Sequence, residues 1–394
     1  MFNNRQLFLA HQAQTTNFPL MLEVISAEGV YLTDPNGKKY LDFISGISVS
    51  SLGHGNQTVR EAIKNQVDKY MHLMVYGEFV QEPTALLAAK LTSYLPSNLD
   101  CVYFVNSGTE ATDGALKLAK RVTKKSKIIA CKNAYHGSTH AALSLNSNEY
   151  YTQPYRPLLP NVHFIEFNNI KSLKTIDKNT ACVIIETIQG EAGYIVPTID
   201  FLEALQSKCK EFGTLLIFDE IQAGIGKTGK MFAFDHWGII PDVLLLGKAL
   251  GAGMPIGAFI TSKNLMHVFT DNPILGHITT FGGHAVIAAG ALAGLNELER
   301  LDLINKIPEK EALIRSKLIH PKIKEIRGKG LMLAAQLTTF NETLKLCQLC
   351  LADGLIIDWF LYADNCIRIV PPFIITNEEL ESGISIILKN LDKL

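Results

Sequence analysis

The sequence contains no hydrophobic run long enough to cross a bilayer. Its longest clearly apolar stretch extends from Ala285 to Leu295, whereas a spanning helix needs about 20 residues. A second apolar patch, Leu7 to Ala10, ends at His11 and is too short for the core of a signal peptide. We therefore expect no membrane-spanning segment and predict a cytoplasmic location.

An excess of positive charge is also missing. Lys and Arg total 37 against 38 for Asp and Glu, which gives a formal net charge of -1. Because binders of nucleic acid or anionic membranes normally carry a basic excess or a basic run, we expect neither partner. The seven cysteines are odd in number and predict no disulfide framework. Cys347 and Cys350 have CxxC spacing, but their surroundings indicate a buried helix face, and we expect no metal site.

Short apolar runs that favour strands alternate with longer helical patterns. These runs are residues 102–105, 127–130, 162–165, 181–185, 215–218, 243–246 and 257–260. Their hydrophobicity is continuous, which is typical of strands covered by helices on both faces. The sequence therefore predicts an α/β fold with a mainly parallel sheet. Between the last two runs the chain is too short for a helical crossover, so we expect an antiparallel pair there.

With 394 residues, the chain is long enough for two to three domains. We place a large α/β domain at residues 51–300. After about residue 300 the pattern changes to a smaller α+β domain at 301–394, in which residues 323–331 and 366–370 predict strands. Residues 1–50, with a strand-turn-strand pattern around Asp34 to Gly37, are expected to pack on this smaller domain.

One glycine-rich string suggests an NAD-dependent dehydrogenase. Gly224 to Gly229 fits the G-x-G-x-x-G pattern, which should close a strand and open a helix. Here five residues follow the strand before the first glycine, and no good helix comes after the last one. Lys227 and its neighbours also resemble the end of a Walker loop, but Ile221 stands at the leading glycine position. NAD binding is kept as an alternative.

Small residues and an aromatic residue follow two predicted strands. Ser107, Gly108 and Thr109 lie between a strand end and a helix start. Backbone N–H groups and the helix dipole hold a phosphate at such a position, although a helix cap alone explains the pattern too. Tyr135 lies beyond the carboxyl end of the run at 127–130. These residues predict a phosphate-binding turn with an aromatic ring nearby.

Two charged residues end apolar runs. Asp219 follows 215–218, and a carboxylate buried there requires a cationic partner. Lys248 follows 243–246, where burial would lower its pKa and make its amine a competent nucleophile. A phosphate site, an aromatic ring, a buried Asp and such a Lys are the parts that a pyridoxal phosphate (PLP) site needs. PLP is therefore the predicted cofactor.

The ordered series of motifs resembles the class III, ω-amino acid type aminotransferases of PLP fold type I. This group includes the acetylornithine, ornithine and 4-aminobutyrate aminotransferases. The motifs cover nearly the whole chain: GVYL (29–32), YLDF (40–43), NSGTEA (106–111), YHG (135–137), QGEAG (189–193), FDEIQ (218–222), GKAL (247–250), TFGG (280–283), RGKG (327–330) and RIVPP (368–372). The resemblance implies the fold type I architecture, a large domain with a mainly parallel sheet plus a smaller α+β domain.

The resemblance implies roles for the cofactor site. Lys248 would form the Schiff base and shuttle a proton, and Asp219 would pair with the pyridine nitrogen. Thr280 would reach the phosphate of the neighbouring subunit, which implies a homodimer. The phosphate would be held by Ser107, Gly108 and Thr109. Tyr135 would stack on the ring, and Gln222 would bind the phenolic oxygen.

The resemblance also implies substrate contacts and shows a departure. Arg368 would bind the α-carboxylate of an amino or keto acid, and Glu191 would pair with it and mask it when a diamine-type substrate enters. Relatives usually have Arg where this chain has Ser138, and a serine cannot supply a bidentate, charged contact. Asn17 stands where some members carry an aromatic residue that lines the pocket.

A substitute cation for that missing arginine could come from elsewhere in the chain. Arg156 and Lys132 are the candidates, because both lie near the motif in sequence. Such a cation would restore binding of the second carboxylate of 2-oxoglutarate.

The predicted function is PLP-dependent transamination from an amine or ω-amino acid donor to a keto acid acceptor. The reaction would be ping-pong and similar to that of acetylornithine and ornithine aminotransferases. Alternatives are an aminomutase, racemase or decarboxylase on the same scaffold, an NAD-dependent dehydrogenase, or a silent binding protein. The presence of both Glu191 and Arg368 favours transamination, since a switchable carboxylate site is useful when two substrates alternate.

Overall fold

The N-terminal part carries a small sheet. The structure, a computed structural model, describes residues 3–394. A hairpin turn joins the second and third strands, where Asp34 Oδ1 accepts hydrogen bonds at 2.9 Å from the backbone N–H groups of Asn36 and Lys38. The elements here are helix α1 (Asn4–His11), strands β1 (Ser26–Glu28), β2 (Tyr31–Thr33) and β3 (Lys39–Asp42), and the irregular turn α2 (Ser45–Ser48).

The central part alternates strands and helices. Its helices are α3 (Gln57–Lys69), α4 (Glu82–Ser93), α5 (Gly108–Thr123), α6 (His140–Leu143), α7 (Glu149–Thr152), α8 (Ile199–Phe212), α9 (Lys263–Met266) and α10 (Ala285–Arg300). Its strands are β4 (Cys101–Val105), β5 (Lys127–Cys131), β6 (Val162–Ile165), β7 (Thr180–Glu186), β8 (Leu215–Asp219), β9 (Val243–Gly247) and β10 (Gly257–Thr261).

The seven central strands form one sheet in the order β4-β10-β9-β8-β7-β5-β6. The pairs from β9 to β6 are parallel, and β10 is antiparallel to both β9 and β4. The predicted antiparallel return after β9 is therefore confirmed. A mainly parallel sheet brings the carboxyl ends of β7, β8 and β9 to one edge.

Both faces of this sheet are covered, which explains the continuous apolar runs. Neighbouring residues of a strand point to opposite faces. Leu244 and Leu246 belong to one core cluster, whereas Val243 and Leu245 belong to another. All seven residues of β7 are buried. Each strand therefore needs apolar residues at nearly every position.

The C-terminal part is smaller and mixes helices with an antiparallel sheet. The sheet has the order β11-β12-β15-β14, with antiparallel neighbours. The elements are helices α11 (Ile307–Lys317), α12 (Phe340–Ala352) and α13 (Asn377–Leu391), and strands β11 (Glu325–Gly328), β12 (Leu333–Gln336), β13 (Leu355–Ile356), β14 (Asp358–Trp359) and β15 (Cys366–Ile369).

One predicted strand of this part is wrong in its extent. The predicted strand at 323–331 is shorter in the structure, where β11 ends at Gly328, and β12 was not predicted. Gly328 and Gly330 adopt φ values of +108° and +63°, so the backbone turns there and cannot continue as a strand.

The N-terminal part is joined to the C-terminal part by strand pairing. Strand β3 runs parallel to β13, with Leu41 opposite Leu355 and Asp42 opposite Ile356. The domain boundaries near residues 50 and 300 stay a prediction. In the part of the chain that the structure describes, no helix has the length and apolar character needed to span a membrane.

Candidate active site

A cavity of about 300 Å³ opens at the carboxyl edge of the large sheet. Residues at the ends of β7, β8 and β9 and at the start of α5 form its walls. The lining residues are Gly108, Thr109, Tyr135, His136, Gly137, Ser138, Glu186, Ile188, Glu191, Asp219, Ile221, Gln222, Ala223 and Lys248. Most of the residues predicted for a cofactor site therefore meet in one place, although they are far apart in sequence.

Lys248 lies directly after β9 and begins a short 3₁₀ turn. Its φ is +44°, in the left-handed region that costs a residue with a side chain free energy and is found at functional sites. Burial lowers the pKa of Lys248, although the charge of Glu191 opposes this shift. A buried amine with a lowered pKa is a stronger nucleophile at neutral pH.

Asp219 and His136 form a buried pair on the cavity wall. His136 Nδ1 lies 2.7 Å from Asp219 Oδ2, and Oδ1 of the same carboxylate accepts a hydrogen bond from the Ile221 N–H at 2.9 Å. Burial acts to lower the pKa of His136, but the hydrogen bond to Asp219 and its charge outweigh this, so the pKa is raised. Asp219 is thereby held in one orientation with a cationic partner.

His136 was not predicted as a functional residue. It lies within the YHG motif, where only the tyrosine was assigned a role. Its contact with Asp219 joins residues 83 positions apart, so no local spacing could reveal it. The available signal was that a buried carboxylate requires a cation.

Gln222 supplies an unused donor in the cavity wall. Its side-chain Nε2 is buried without a hydrogen-bond partner among the described residues. A buried amide donor without a partner is costly unless a ligand supplies an acceptor. Gly190 keeps this corner open, because a Cβ at that position would lie 2.5 Å from Gln222 Oε1.

The start of α5 forms a candidate phosphate site. Ser107 caps the helix by accepting a hydrogen bond from the Glu110 N–H, and the first N–H groups of a helix have no partner within it. The hydroxyl groups of Thr109 and Thr139 lie 2.6 Å apart. Gly137 must be small here, because a Cβ would lie 2.9 Å from Thr109 Cα, and its φ is +127°.

The wall formed by Tyr135 and Ser138 carries no positive charge. The two hydroxyl groups lie 3.1 Å apart, and Ser138 is exposed to the cavity. Lys132 pairs with Glu166 at 3.1 Å on the surface, and neither it nor Arg156 lines the cavity. No described contact thus brings either predicted substitute cation to this wall.

Arg368 lies behind Glu191. The guanidinium is 2% exposed, and its Nη2 donates to both carboxylate oxygens of Glu191 at 3.0 and 2.9 Å. Glu191 lines the cavity, whereas Arg368 is absent from its lining. The cavity therefore presents the carboxylate, with the arginine masked behind it.

Glu186 is a second buried carboxylate that the sequence did not single out. It ends β7 and accepts hydrogen bonds from the N–H groups of Gly190 at 2.9 Å and Tyr135 at 3.2 Å. Burial raises the pKa of Glu186 to about 7, and this rise exceeds the lowering by the charge of His136. Its position in the cavity wall makes it part of the site.

Four predicted site residues are absent from the cavity lining: Ser107 caps the helix beside it and Arg368 lies behind Glu191, whereas the other two lie on the surface. Thr280 and Asn17 are exposed and absent from the lining. The expectation that Thr280 acts on a neighbouring subunit, and the expectation that Asn17 lines a pocket, stay predictions.

The glycine-rich string does not build a dinucleotide site. Residues 221–232 form turns without a helix. A Cβ at Gly226 would lie 2.8 Å from Ile304, and one at Gly224 would lie 2.8 Å from the Glu220 carbonyl. These glycines permit close packing within the protein, which leaves no room for a pyrophosphate.

The residues of the cavity fit PLP. A nucleophilic lysine, a carboxylate with a fixed orientation, an unpartnered amide donor and a helix N-terminus line one space. They match the amine attachment, the pyridine nitrogen, the phenolic oxygen and the phosphate of the cofactor.

Comparison with known proteins decides the family. The model of the aminotransferase class-III family matches residues 11–391. The chain belongs to this family. It is a PLP-dependent transaminase of fold type I, so the predicted fold class, cofactor and reaction class are confirmed.

Curated relatives and solved structures agree. The aminotransferase is 38% identical over 375 residues to "Acetylornithine aminotransferase" of Bacillus anthracis, covering 93% of this chain and 94% of the relative. A "[LysW]-aminoadipate semialdehyde/glutamate semialdehyde transaminase" of Sulfolobus acidocaldarius is 35% identical over 379 residues, with 95% of each covered. The ornithine aminotransferase structure from Toxoplasma gondii has a TM-score of 0.90 at 29% identity, covering 100% of this chain and 96% of that one.

Proposed function

We propose that this aminotransferase takes its amino group from a donor that lacks a carboxylate at the end facing Ser138. The observation that carries this proposal is the uncharged wall of Tyr135 and Ser138. An arginine–carboxylate pair in a desolvated pocket contributes several kcal/mol when one partner is removed, whereas an exposed pair contributes under about 1 kcal/mol. A donor carboxylate there would lose its solvation without gaining a cation.

The acceptor is a keto acid whose carboxylate binds Arg368. Supporting this, the guanidinium is buried, and Glu191 covers it in the structure. Glu191 shields the arginine while the amine donor is bound, and it turns away when the keto acid enters. This alternation suits a ping-pong reaction, in which two different substrates use one cavity.

The other residues bind and orient the cofactor or move a proton. When bound, PLP supplies the electron sink that lets a proton leave the substrate carbon. Lys248 attaches the cofactor through Nζ and then carries that proton. Asp219, oriented by His136, keeps the pyridine nitrogen protonated. The phosphate is held by Ser107, Gly108 and Thr109. Tyr135 holds the ring, and Gln222 holds the phenolic oxygen.

We also infer that the enzyme is a homodimer. Supporting this, large apolar side chains are exposed near Thr280, in segments 71–80 and 274–281. Val80 is 95% exposed, and Phe79 and Phe281 are each 52% exposed. Exposed apolar patches of this kind mark protein interfaces. A cytoplasmic location stays a prediction from the sequence.

The donor proposal is tested with Ser138→Arg. We measure single-turnover half-reactions of wild type and variant with acetylornithine, 4-aminobutyrate and a matched amine without a carboxylate. We expect wild type to react slowly with the first two and faster with the amine, and we expect Ser138→Arg to reverse this order. Ser97→Arg adds the same charge at an exposed site outside the cavity and should change nothing. Wild-type preference for acetylornithine over the amine would contradict the proposal.

A further inference from the structure

Arg368 faces a second carboxylate besides Glu191. Asp358 in β14 lies directly opposite Arg368 in the antiparallel pair with β15. Its Oδ1 is 3.5 Å from Arg368 Nε, whereas Glu191 is bound by Nη2 of the same guanidinium. The side chain of Arg368 is buried and that of Asp358 is half-buried, at 2% and 26% exposed.

The contact with Asp358 is an ion pair without a hydrogen bond. Arg368 Nη2 donates to Glu191 and to the Trp359 carbonyl, whereas Nε and Nη1 have no acceptor among the described residues. Asp358 Oδ1 likewise has no donor. Asp358 therefore neutralises charge while leaving N–H donors of Arg368 available to another carboxylate.

This arrangement gives the guanidinium an excess of negative neighbours. Two carboxylates face one arginine. Burial acts to lower the pKa of Arg368, but Glu191, Asp358 and the Tyr194 hydroxyl all raise it. Burial raises the pKa of Asp358 to about 6, more than Arg368 lowers it. A carboxylate that enters beside Arg368 must therefore bind against the charge of Asp358.

We propose that Asp358 is a specificity-determining and positioning residue for the keto acid half-reaction. When Glu191 turns away, Asp358 stays beside Arg368, because β14 and β15 are paired and fix their separation. Its negative charge holds the guanidinium against β14 and weakens the binding of the incoming carboxylate. The amino acid product of the second half-reaction, whose carboxylate binds Arg368, therefore leaves more readily. This inference rests on the proposed role of Arg368 in binding the acceptor.

The test compares Asp358→Asn, which keeps the shape and removes the charge, with wild type. Acetate, a simple carboxylate, is titrated into the PLP-loaded enzyme by calorimetry, and both half-reactions are followed separately. We expect the dissociation constant of acetate to fall by roughly threefold or more, as the loss of a nearby like charge requires. The KM for pyruvate should fall similarly, while kcat for that half-reaction and the rate of the amine half-reaction stay within about twofold.

Two controls separate the possible outcomes. Asp364→Asn removes the same charge from an exposed position in the loop between β14 and β15 and should leave acetate binding unchanged. Arg368→Lys should weaken acetate binding, and if it does not, the proposed acceptor site is wrong. If Arg368→Lys weakens binding but Asp358→Asn leaves it unchanged or weaker, only the role of Asp358 is overturned. Asp358→Ser, which also removes the charge, replaces the Asn variant if that variant does not fold.

Discussion

Asp219 and His136 act as a unit because both side chains are buried and each is the hydrogen-bond partner of the other. The carboxylate is 4% exposed and would be costly without its cationic partner. The hydrogen bond at 2.7 Å and the Ile221 N–H together fix both carboxylate oxygens. An oriented, ionised carboxylate is what a protonated pyridine nitrogen requires.

We expect Asp219→Asn to lower turnover by about 100-fold or more while unfolding free energy falls by only about 1–3 kcal/mol. The amide keeps the volume but loses the charge that holds a proton on the cofactor. Steady-state kinetics and urea unfolding of the PLP-loaded enzyme give the two quantities. Asp235→Asn, at an exposed position outside the cavity, should leave turnover near wild type. A variant with unchanged turnover would remove Asp219 from the mechanism.

Lys227 is a fully buried lysine whose amine Nζ has no hydrogen-bond partner within residues 3–394. Its closest aromatic neighbour is Phe373, whose ring centroid lies 4.5 Å from Nζ. Burial lowers the pKa of Lys227 to about 7, whereas an unfolded lysine titrates near 10.4. The unfolded chain thus binds more protons between these pH values, and this group favours folding more as pH rises.

We therefore expect Lys227→Met to raise the unfolding free energy by about 1–3 kcal/mol at pH 7. The gain should shrink as pH rises towards 10, because the free energy needed to remove the proton from Lys227 on folding falls as the pH approaches the pKa of the unfolded lysine. Denaturant unfolding of both proteins at pH 6 to 10 measures the difference. Lys230→Met, at an exposed position three residues later, is the matched control and should show no such trend. A gain that does not depend on pH would point to packing rather than charge.

The N-terminus of α5 and the loop from Tyr135 to Ser138 together form the candidate phosphate site. The loop approaches the helix closely at Gly137, where the backbone adopts a φ that side chains disfavour. This approach brings the loop against the first turn, whose N–H groups are available to a phosphate. The geometry of the phosphate site therefore depends on contact between two elements.

We expect Gly137→Ala to weaken PLP retention at least about tenfold, because the methyl group must push the loop away from Thr109. The dissociation constant of PLP, measured by absorbance after dialysis, reports the loss. Gly238→Ala is the control, since Gly238 also has a positive φ but a Cβ there meets nothing within 4 Å. Equal loss in both variants would assign the effect to backbone strain instead of the collision.

At the scale of the whole molecule, the cofactor site is complete only in a dimer if Thr280 binds the phosphate in the partner subunit. Thr280 is exposed in one subunit, whereas the neighbouring Thr279 Oγ1 accepts a hydrogen bond from Asn106 at 3.3 Å within its own chain. The Thr279 hydroxyl is therefore engaged within its own chain, whereas the exposed Thr280 is available to a partner subunit.

We expect Thr280→Val to weaken PLP retention, and we expect mixed dimers to restore it. A dimer of one Thr280→Val chain and one Lys248→Ala chain has one site with an intact Lys248 and a threonine from the other chain. Activity of tandem-tagged, purified mixed dimers measures this restoration. A Thr279→Val chain in the same mixture should show no restoration, because its contact is internal. Failure of the Thr280→Val mixture to recover would show that the hydroxyl acts within its own subunit.

Local patterns were sufficient for the strands and for several site residues. The seven central strands follow apolar runs because burial on both sheet faces requires apolar residues at nearly every position. Lys248 and Asp219 could be assigned because each directly follows an apolar run, so the local sequence alone indicates that it lies at the end of a strand. Strand β12 was missed, since the sharp turns at Gly328 and Gly330 divide a pattern that looks like one strand.

The family resemblance implied that Glu191 pairs with Arg368, but only the tertiary structure showed this contact and the other charges around the arginine. Arg368 and Glu191 are 177 positions apart, and strand pairing brings Asp358 opposite the same arginine. The sequence by itself determined the fold class, the cofactor and the chemical types of the site, because these depend on local order and residue type. The masking of Arg368, the cation beside Asp219 and the uncharged wall at Ser138 depend on distances between remote segments. Electrostatic energies change steeply with these distances, and the packing of the folded chain sets the distances.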